Sequence, residues 1–127
     1  MDTSQKVILL VEDDPDNRRL TKDLLTFQNY RVIEAEDSYQ ALDILQKDPP
    51  DLILTDVSLP GMSGFTLTQK IRALKKFART PIIVLTAHLR QADQEALKKT
   101  ALVQYLSKPV NIPALLVQIQ ALLQQVA

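Results

Sequence analysis

The sequence predicts an α/β domain in which a parallel sheet is covered by helices on both faces. Short apolar runs alternate five times with segments of helical spacing, an order typical of such a sheet. Most of these runs lack the alternation of a strand with one wet face, so we expect strands buried on both sides. No repeat, low-complexity tract or linker interrupts the pattern, and we therefore expect one domain spanning residues 1–127.

Five runs are predicted to be strands because they are too short for helices. They are Val7–Val11, Arg31–Ala35, Leu52–Leu54, Ile82–Leu85 and Leu102–Leu106. The Arg31–Ala35 run alternates more between polar and apolar residues, which favours an edge of the sheet.

The first helix is predicted to begin at Asp14-Pro15, where an acidic cap precedes a proline at the first helical position. We expect its buried side to hold four apolar residues, Leu20, Leu24, Leu25 and Phe27. We expect its charged residues to face water, namely Asp16, Arg18, Arg19, Lys22 and Asp23.

The second helix is predicted from about Ser38 to Lys47, because Pro49-Pro50 ends the helical spacing. Its inward residues are Ala41, Leu42 and Leu45. The third helix carries Phe65, Leu67, Ile71 and Leu74. A basic cluster at its far end is interpreted as a solvated face rather than a nucleic-acid site. That cluster comprises Lys70, Arg72, Lys75, Lys76 and Arg79.

The fourth helix, predicted at about His88–Lys99, is weakly amphipathic because its inward positions are mostly alanines. The fifth, Asn111–Gln125, has a clear apolar side and a glutamine-rich outer side. Its inward residues are Leu115, Leu116, Ile119, Leu122 and Leu123.

Composition excludes several kinds of site. The chain has no cysteine and one histidine, so it has no thiol nucleophile, no disulfide and no site built from several imidazoles. A net charge of zero gives no general attraction to nucleic acid or to an anionic membrane. The sequence shows neither a signal peptide nor a membrane span, and we expect a soluble, cytoplasmic protein.

Polar residues collect where the predicted strands end. Glu12 and Asp13 follow the first strand, Asp56 the third, Thr86 the fourth and Lys108 the fifth. Ligands of open parallel sheets bind beyond the carboxyl ends of the strands, so these groups are expected to meet at one edge. Three carboxylates gathered there would repel one another unless a cation lay among them, and an all-oxygen cluster favours Mg²⁺, with Mn²⁺ and Ca²⁺ as alternatives.

Such an ion would hold phosphoryl oxygens and make a lone carboxylate a competent nucleophile, with Lys108 and Thr86 holding the remaining oxygens. Taken singly, each residue has an ordinary structural interpretation. Glu12 or Asp13 could cap a helix, Asp56 and Thr86 could lie in turns, and Lys108 could be a surface charge. Their joint occurrence at strand ends favours a phosphoryl-transfer site, and Asp14 is assigned to capping alone.

The sequence resembles the receiver domain of two-component response regulators over essentially all 127 positions. The segments that carry the resemblance are ILLVEDDP at 8–15, DLILTDVSLPGMSG at 51–64, TPIIVLTA at 80–87 and YLSKPV at 105–110. The resemblance implies a flavodoxin-like, doubly wound five-stranded parallel sheet in the order 2-1-3-4-5, with five helices.

The resemblance also implies roles for individual residues. Asp56 would be the phosphoacceptor that becomes 4-aspartylphosphate, Glu12 and Asp13 would complete the Mg²⁺ site, and Lys108 would pair with the acceptor. Thr86 and Tyr105 would form the switch, and the Lys108-Pro109 peptide bond would be cis. Ser58 and His88 would lie at positions that tune the lifetime of the phosphoryl group. Pro60, Gly61 and Gly64 match the loop after the acceptor, and Thr100 lies where the family commonly has glycine.

The resemblance implies a signalling switch that takes a phosphoryl group from a sensor histidine kinase or a histidine phosphotransfer protein. It would catalyse its own phosphorylation and dephosphorylation without being a turnover enzyme. The fourth helix, fifth strand and fifth helix would present the switched face to a downstream protein target, without direct contact to nucleic acid or membrane. The alternatives are a phosphorelay shuttle, a receiver-like module that is never phosphorylated, and a dehalogenase-type aspartyl phosphatase; Ser58 argues against the last, because that class has an aspartate there.

Overall fold

The computed structural model describes residues 5–87, 95 and 102–126, and its centre is a five-stranded parallel sheet. The strands are β1 (Val7–Val11), β2 (Arg31–Ala35), β3 (Leu52–Asp56), β4 (Ile82–Thr86) and β5 (Val103–Ser107). Their order is β2-β1-β3-β4-β5, and every neighbouring pair is parallel. The predicted order is confirmed, and β2 lies at an edge as expected.

Four α-helices lie in the described ranges and connect the strands. They are α1 (Pro15–Phe27), α2 (Ser38–Lys47), α3 (Gly64–Ala73) and α4 (Ile112–Gln125), and a short 3₁₀ helix, Lys75–Phe77, follows α3. The helix predicted at 88–99 falls, apart from Glu95, outside the described residues, as do His88 and Thr100. The helix α4 is therefore the fifth helix of the sequence prediction. None of the described helices is long and apolar enough to cross a membrane.

Two apolar cores cover the two faces of the sheet. Successive strand residues point to opposite faces, so Ile8 and Leu10 pack in the first core with α1 and α4. Leu9 and Val11 pack in the second core with α2 and α3. The strands β3 and β4 are buried along their whole length and β1 at every residue after Val7, which confirms that these three are covered on both sides.

Side chains that precede the helices fix where two of them begin. Asp14 accepts hydrogen bonds from the amides of Asp16 and Asn17, and Pro15 occupies the first helical position, as predicted. Asn111 accepts from the amide of Ala114, so the fifth predicted helix starts one residue later than expected, with Asn111 as its cap. The helix α4 carries no charged residue over its fourteen positions.

The predicted buried side of α1 is partly wrong. Leu25 is fully buried, whereas Leu20 is 61% exposed and Phe27 is 86% exposed. At about 100° per residue, Leu20 and Phe27 lie roughly 140° to 160° around the helix from Leu25, too far to reach the same core. Arg18, seven residues before Leu25, lies on nearly the same side and is half-buried rather than exposed to water.

A second correction concerns Arg72, which was placed in the solvated basic cluster. Its guanidinium donates to the carbonyl of Phe77 at 2.8 Å and to that of Leu102 at 3.4 Å. Burial lowers the pKa of this guanidinium. Leu102 itself has φ of 60°, a left-handed conformation that a strand cannot contain, so β5 begins at Val103 rather than at Leu102.

Candidate functional site

The residues singled out at the strand ends meet at one edge of the sheet. Glu12 directly follows β1, Lys108 directly follows β5, and Asp56 and Thr86 are the last residues of β3 and β4. The two strands are thus slightly longer than predicted, but all four residues lie at the carboxyl edge, where parallel sheets bind ligands.

The carboxylates of Glu12, Asp13 and Asp56 form a compact group that we call the acidic cluster. One oxygen from each lies within 4.8 Å of the others; Glu12 and Asp56 are buried and Asp13 is exposed. Three oxygen ligands with one side open to solvent suit a hard divalent cation that keeps several waters, which is the preference of Mg²⁺. The donor set therefore fits the predicted metal.

Lys108 contacts both Asp56 and Thr86. Its Nζ donates to Oδ2 of Asp56 at 2.6 Å, and its backbone amide donates to the carbonyl of Thr86 at 2.8 Å. The peptide bond to Pro109 is cis, the isomer that the resemblance implies. Lys108 binds Oδ2, and the other carboxylate oxygen of Asp56 has no hydrogen-bond partner within the described ranges.

Glu12 is held through its main chain and its carboxylate. Its amide donates to the carbonyl of Ala35 at 3.0 Å, and its Oε2 accepts from the amide of Asp14 at 3.2 Å. Burial raises the pKa of the Glu12 carboxyl, and the nearby charge of Asp56 raises it further. The hydrogen bond from Asp14 and the charge of Lys108 act in the opposite direction. A cation among these oxygens would favour the ionised form.

The loop between β3 and α3 shapes the other side of the cluster. The amide of Gly64 donates to the carbonyl of Val57 at 2.9 Å, which brings the first residue of α3 against the end of β3. A Cβ on Gly64 would collide with the carbonyl oxygen of Asp56 and lie 3.0 Å from the Cα of Val57. Gly61 has φ of +80° and lies against the ring of Tyr39. Both glycines of the chain therefore serve this loop.

Comparison with known proteins identifies the family. The family described as response regulator receiver domain matches residues 8–120 of the chain. This chain belongs to that family. The receiver domain is accordingly a component of two-component signalling.

Relatives of this receiver domain match it along most of its length. An uncharacterized 14.6 kDa protein in the sodA1 3' region of Leptolyngbya boryana is 38% identical over 108 residues, covering 85% of this chain and 82% of the relative. The polar-differentiation response regulator DivK of Brucella ovis is 31% identical over 118 residues, covering 93% of this chain and 96% of DivK.

A solved structure shows the same architecture. The receiver domain of the sensor histidine kinase PA1611 from Pseudomonas aeruginosa has a TM-score of 0.84 and 35% identity. The comparison covers 95% of this receiver domain and 99% of that chain, whose structure has a magnesium ion coordinated in the active site cleft.

The remaining predicted residues lie around the acidic cluster at different depths. Thr86 is buried, Tyr105 is half-buried against the second core, and Ser58 is exposed. In the register of β4 and β5, Tyr105 lies opposite Val84, and Thr86 lies opposite Ser107. His88 is outside the described residues, so its predicted role stays a prediction.

Two contacts close to the acidic cluster and its neighbouring loop were missed by the sequence reasoning. The hydroxyl of Ser38, which is fully buried, donates to the carbonyl of Met62 at 2.8 Å and so ties α2 to the loop after β3. Arg18 donates to the carbonyl of Glu12 at 3.0 Å. The position of Arg18 on the same helical side as Leu25 was the available signal, whereas no feature of the sequence pointed to Met62 as the partner of Ser38.

An open groove of about 360 Å³ lies beside the site, between α1 and the start of α4. Its lining includes four apolar side chains and two charged residues of the site, namely Leu20, Leu24, Val110 and Ile112, with Glu12 and Lys108. The exposed Leu20 of α1 thus borders the site instead of the core.

We expect Gly64→Ala to lower the free energy of unfolding by about 1–3 kcal/mol, because the added methyl group must displace the main chain at Asp56. Urea unfolding measures this change. Gln69→Ala on the exposed side of α3 is the matched control and should stay within about 0.5 kcal/mol of wild type. Equal stability of Gly64→Ala and Gln69→Ala would contradict the close approach.

Replacing Glu12 by glutamine should change the pH dependence of stability. The pKa of the Glu12 carboxyl is higher in the folded domain than in the unfolded chain, where it is near 4.5. The contribution of Glu12 to the free energy of unfolding is therefore largest below pH 4.5 and is lost as pH rises through the folded pKa. Glu12→Gln removes this loss. In Mg²⁺-free buffer, its stability relative to wild type should therefore increase from pH 4 to pH 8, and a difference constant over that range in urea unfolding would contradict the raised pKa.

Proposed function

We propose that this receiver domain accepts a phosphoryl group on Asp56 from a phosphohistidine of a sensor histidine kinase or a histidine phosphotransfer protein, in a Mg²⁺-dependent reaction. The observation that carries the proposal is the 2.6 Å contact of Lys108 with Asp56 inside the acidic cluster. This arrangement supplies an oriented carboxylate, the ammonium group of Lys108 to pair with the transferred group, and carboxylate oxygens to hold a metal ion. Together these groups suit phosphoryl transfer.

In the proposed reaction, the carboxylate oxygen of Asp56 that Lys108 does not bind attacks phosphorus, and a new P–O bond forms. The P–N bond to the donor imidazole breaks, and its electron pair stays on the imidazole nitrogen, which then takes a proton. Lys108 keeps Oδ2 in place during the attack, and its ammonium group can then form an ion pair with a phosphoryl oxygen. The hydroxyl of buried Thr86 can donate a hydrogen bond to another phosphoryl oxygen. Later attack of water on phosphorus returns Asp56 and releases phosphate.

The metal would be held by Glu12, Asp13 and Asp56, and when bound it would withdraw charge from the phosphoryl oxygens. The magnesium ion in the PA1611 receiver domain supports this choice. Exposure of Asp13 leaves a path by which ion and water can enter from solvent.

We infer that the domain is a switch rather than a turnover enzyme, since the product remains on its own Asp56 until hydrolysis. A phosphoryl group adds charge and acceptor oxygens next to Thr86. Movement of Thr86 would reach Tyr105 of the adjoining β5, and Lys108 would follow because its amide is bonded to the Thr86 carbonyl. The face comprising the helix predicted at 88–99, β5 and α4 would then change its contacts with a downstream protein.

The groove between α1 and α4 is the proposed docking place of the phosphodonor protein. It opens beside Glu12 and Lys108, so a helix lying in it could present a histidine to Asp56. Its apolar walls and the exposed Phe27 further along α1 offer the apolar contact that such a helix needs.

A phosphorelay shuttle is the second candidate. It is favoured by similarity to receiver domains that are parts of sensor histidine kinases, including PA1611 and a signal transduction histidine kinase of Syntrophus aciditrophicus at 26% identity and a TM-score of 0.87. A shuttle would pass its phosphoryl group from Asp56 to a second histidine protein instead of holding it for a target.

Incubation with acetyl phosphate and Mg²⁺ should add one phosphoryl group, detected by intact mass and mapped by peptide mass spectrometry. Asp56→Asn is expected to abolish the addition, because the amide nitrogen and oxygen are poor nucleophiles. Asp13→Asn should weaken Mg²⁺ binding in a calorimetric titration, whereas Asp16→Asn on the exposed first turn of α1 should leave both measurements unchanged.

Label that persists in Asp56→Asn would show that the acceptor assignment is wrong. Unchanged Mg²⁺ affinity in Asp13→Asn would remove Asp13 from the metal site.

The relay candidate is tested by adding a histidine phosphotransfer protein to the phosphorylated domain. Movement of the label to the histidine faster than its release as free phosphate would favour a shuttle. If the label is released only as free phosphate with every histidine phosphotransfer protein of the source organism, the result would favour a terminal switch.

A further inference from the structure

Arg18 connects the acidic cluster to the edge of the sheet. Its side chain is only 14% exposed, although it lies on α1, a helix with one side facing solvent. Its guanidinium contacts the carbonyl of Glu12 on one side and the carboxylates of Glu34 and Glu36 on the other. A largely buried arginine side chain with three oxygen partners has a defined orientation, unlike a surface lysine or arginine.

The bond to Glu12 completes the main-chain support of the residue that starts the acidic cluster. Glu12 donates its amide to Ala35 at 3.0 Å and accepts at its carbonyl from Nη1 of Arg18 at 3.0 Å. Both peptide groups that flank the Glu12 Cα are therefore fixed. The second of these groups is the peptide link to Asp13, so its orientation also sets the direction in which Asp13 leaves the strand.

The carboxylates near β2 hold the other side of the guanidinium. Nε of Arg18 lies 3.4 Å from Oε1 of Glu34, and Nη2 lies 3.8 Å from Oε1 of Glu36. Lys22, one turn further along α1, pairs with the second oxygen of Glu34 at 3.2 Å. These ion pairs match the positive charge of Arg18 locally, so the acidic cluster keeps its own negative charge for a cation.

We propose that Arg18 is a positioning residue of the cation site, which orients Glu12 and Asp13 through the Glu12 carbonyl while Glu34 and Glu36 keep its guanidinium in place. The inference rests on the proposed Mg²⁺ binding of the acidic cluster. Arg18 touches neither metal nor phosphoryl group in this role. A purely structural arginine would change stability alone, whereas a positioning arginine changes metal affinity in a domain that remains folded.

The test compares the full chain carrying Arg18→Met with Arg31→Met. Methionine retains the apolar stem of arginine and removes every donor. Arg31 is the matched control, because it also forms an ion pair on β2, with Asp48 at 3.0 Å, but at the far end of the strand. Circular dichroism and thermal unfolding first establish that both variants are folded at the temperature of the titration.

Two measurements follow. Arg18→Met should bind Mg²⁺ about tenfold more weakly than wild type, because loss of a group that orients metal ligands weakens metal binding by about tenfold or more. The Mg²⁺ affinity of Arg31→Met should match that of wild type. In the metal-free protein, hydrogen exchange of the Glu12 amide should be at least about tenfold faster in Arg18→Met, while the amide of Leu9 within β1 keeps its protection.

Arg18→Lys separates charge from geometry. Lysine preserves the charge but cannot donate to Glu12 and pair with Glu34 through one planar group. We expect its Mg²⁺ affinity to resemble that of Arg18→Met, and wild-type affinity would overturn the positioning role. If Arg18→Met does not fold, the double variant Glu34→Gln with Glu36→Gln, which leaves Arg18 present but without charged partners, should weaken Mg²⁺ binding in the same direction.

The outcomes separate this inference from the proposed function. If wild type binds Mg²⁺ and Arg18→Met binds it with the same affinity, the role of Arg18 is overturned and the proposed function is left intact. Absence of Mg²⁺ binding in wild type overturns the proposed metal site itself. Equal weakening in Arg31→Met and Arg18→Met would show a general loss of stability and would also overturn the inference.

Discussion

Like-charged carboxylates repel each other, and the structure holds Glu12, Asp13 and Asp56 with oxygens within 4.8 Å. Lys108 offsets part of this repulsion by its direct contact with Asp56. The main chain also contributes, because the amide of Asp14 donates to Glu12. It further prevents the carboxylates from moving apart, because Glu12 and Asp56 lie at the ends of adjacent buried strands. Much of the surrounding structure can be understood as support for this unfavourable arrangement, which a divalent cation would relieve.

The two faces of the sheet contribute differently to that support. On one face, α1 supplies Arg18 to the carbonyl of Glu12 and borders the groove that leads to the cluster. On the other face, α2 and α3 hold the loop that follows Asp56, through the Ser38 hydroxyl and through the close approach of Gly64, which has no side chain. The site is thus fixed from both layers of helices, whereas the strands themselves fix only its spacing.

The parallel sheet, the start of α1 and the meeting of the polar residues could be predicted because each depends on a local pattern or on the geometry of a parallel sheet, whereas the strand order came from the family resemblance. Asp14-Pro15 and the buried runs are signals of this kind. The orientation of α1 could not be predicted from apolar content, because Leu20 and Phe27 look like core residues by type and differ from Leu25 only in angle. Arg72 and Ser38 were beyond sequence reasoning for another reason: their partners are backbone carbonyls, which every residue possesses.

The uncharged helix α4 has a consequence for recognition. Its outward side chains, among them Val117 and Gln120, present a surface without ionisable groups. This helix itself adds no charge that would steer a binding protein, and contacts with α4 should respond weakly to ionic strength or pH. The groove between α1 and α4 differs from this surface, since the charged residues Glu12 and Lys108 are among those that line it. Binding in the groove should therefore respond to ionic strength and pH more strongly than binding at α4.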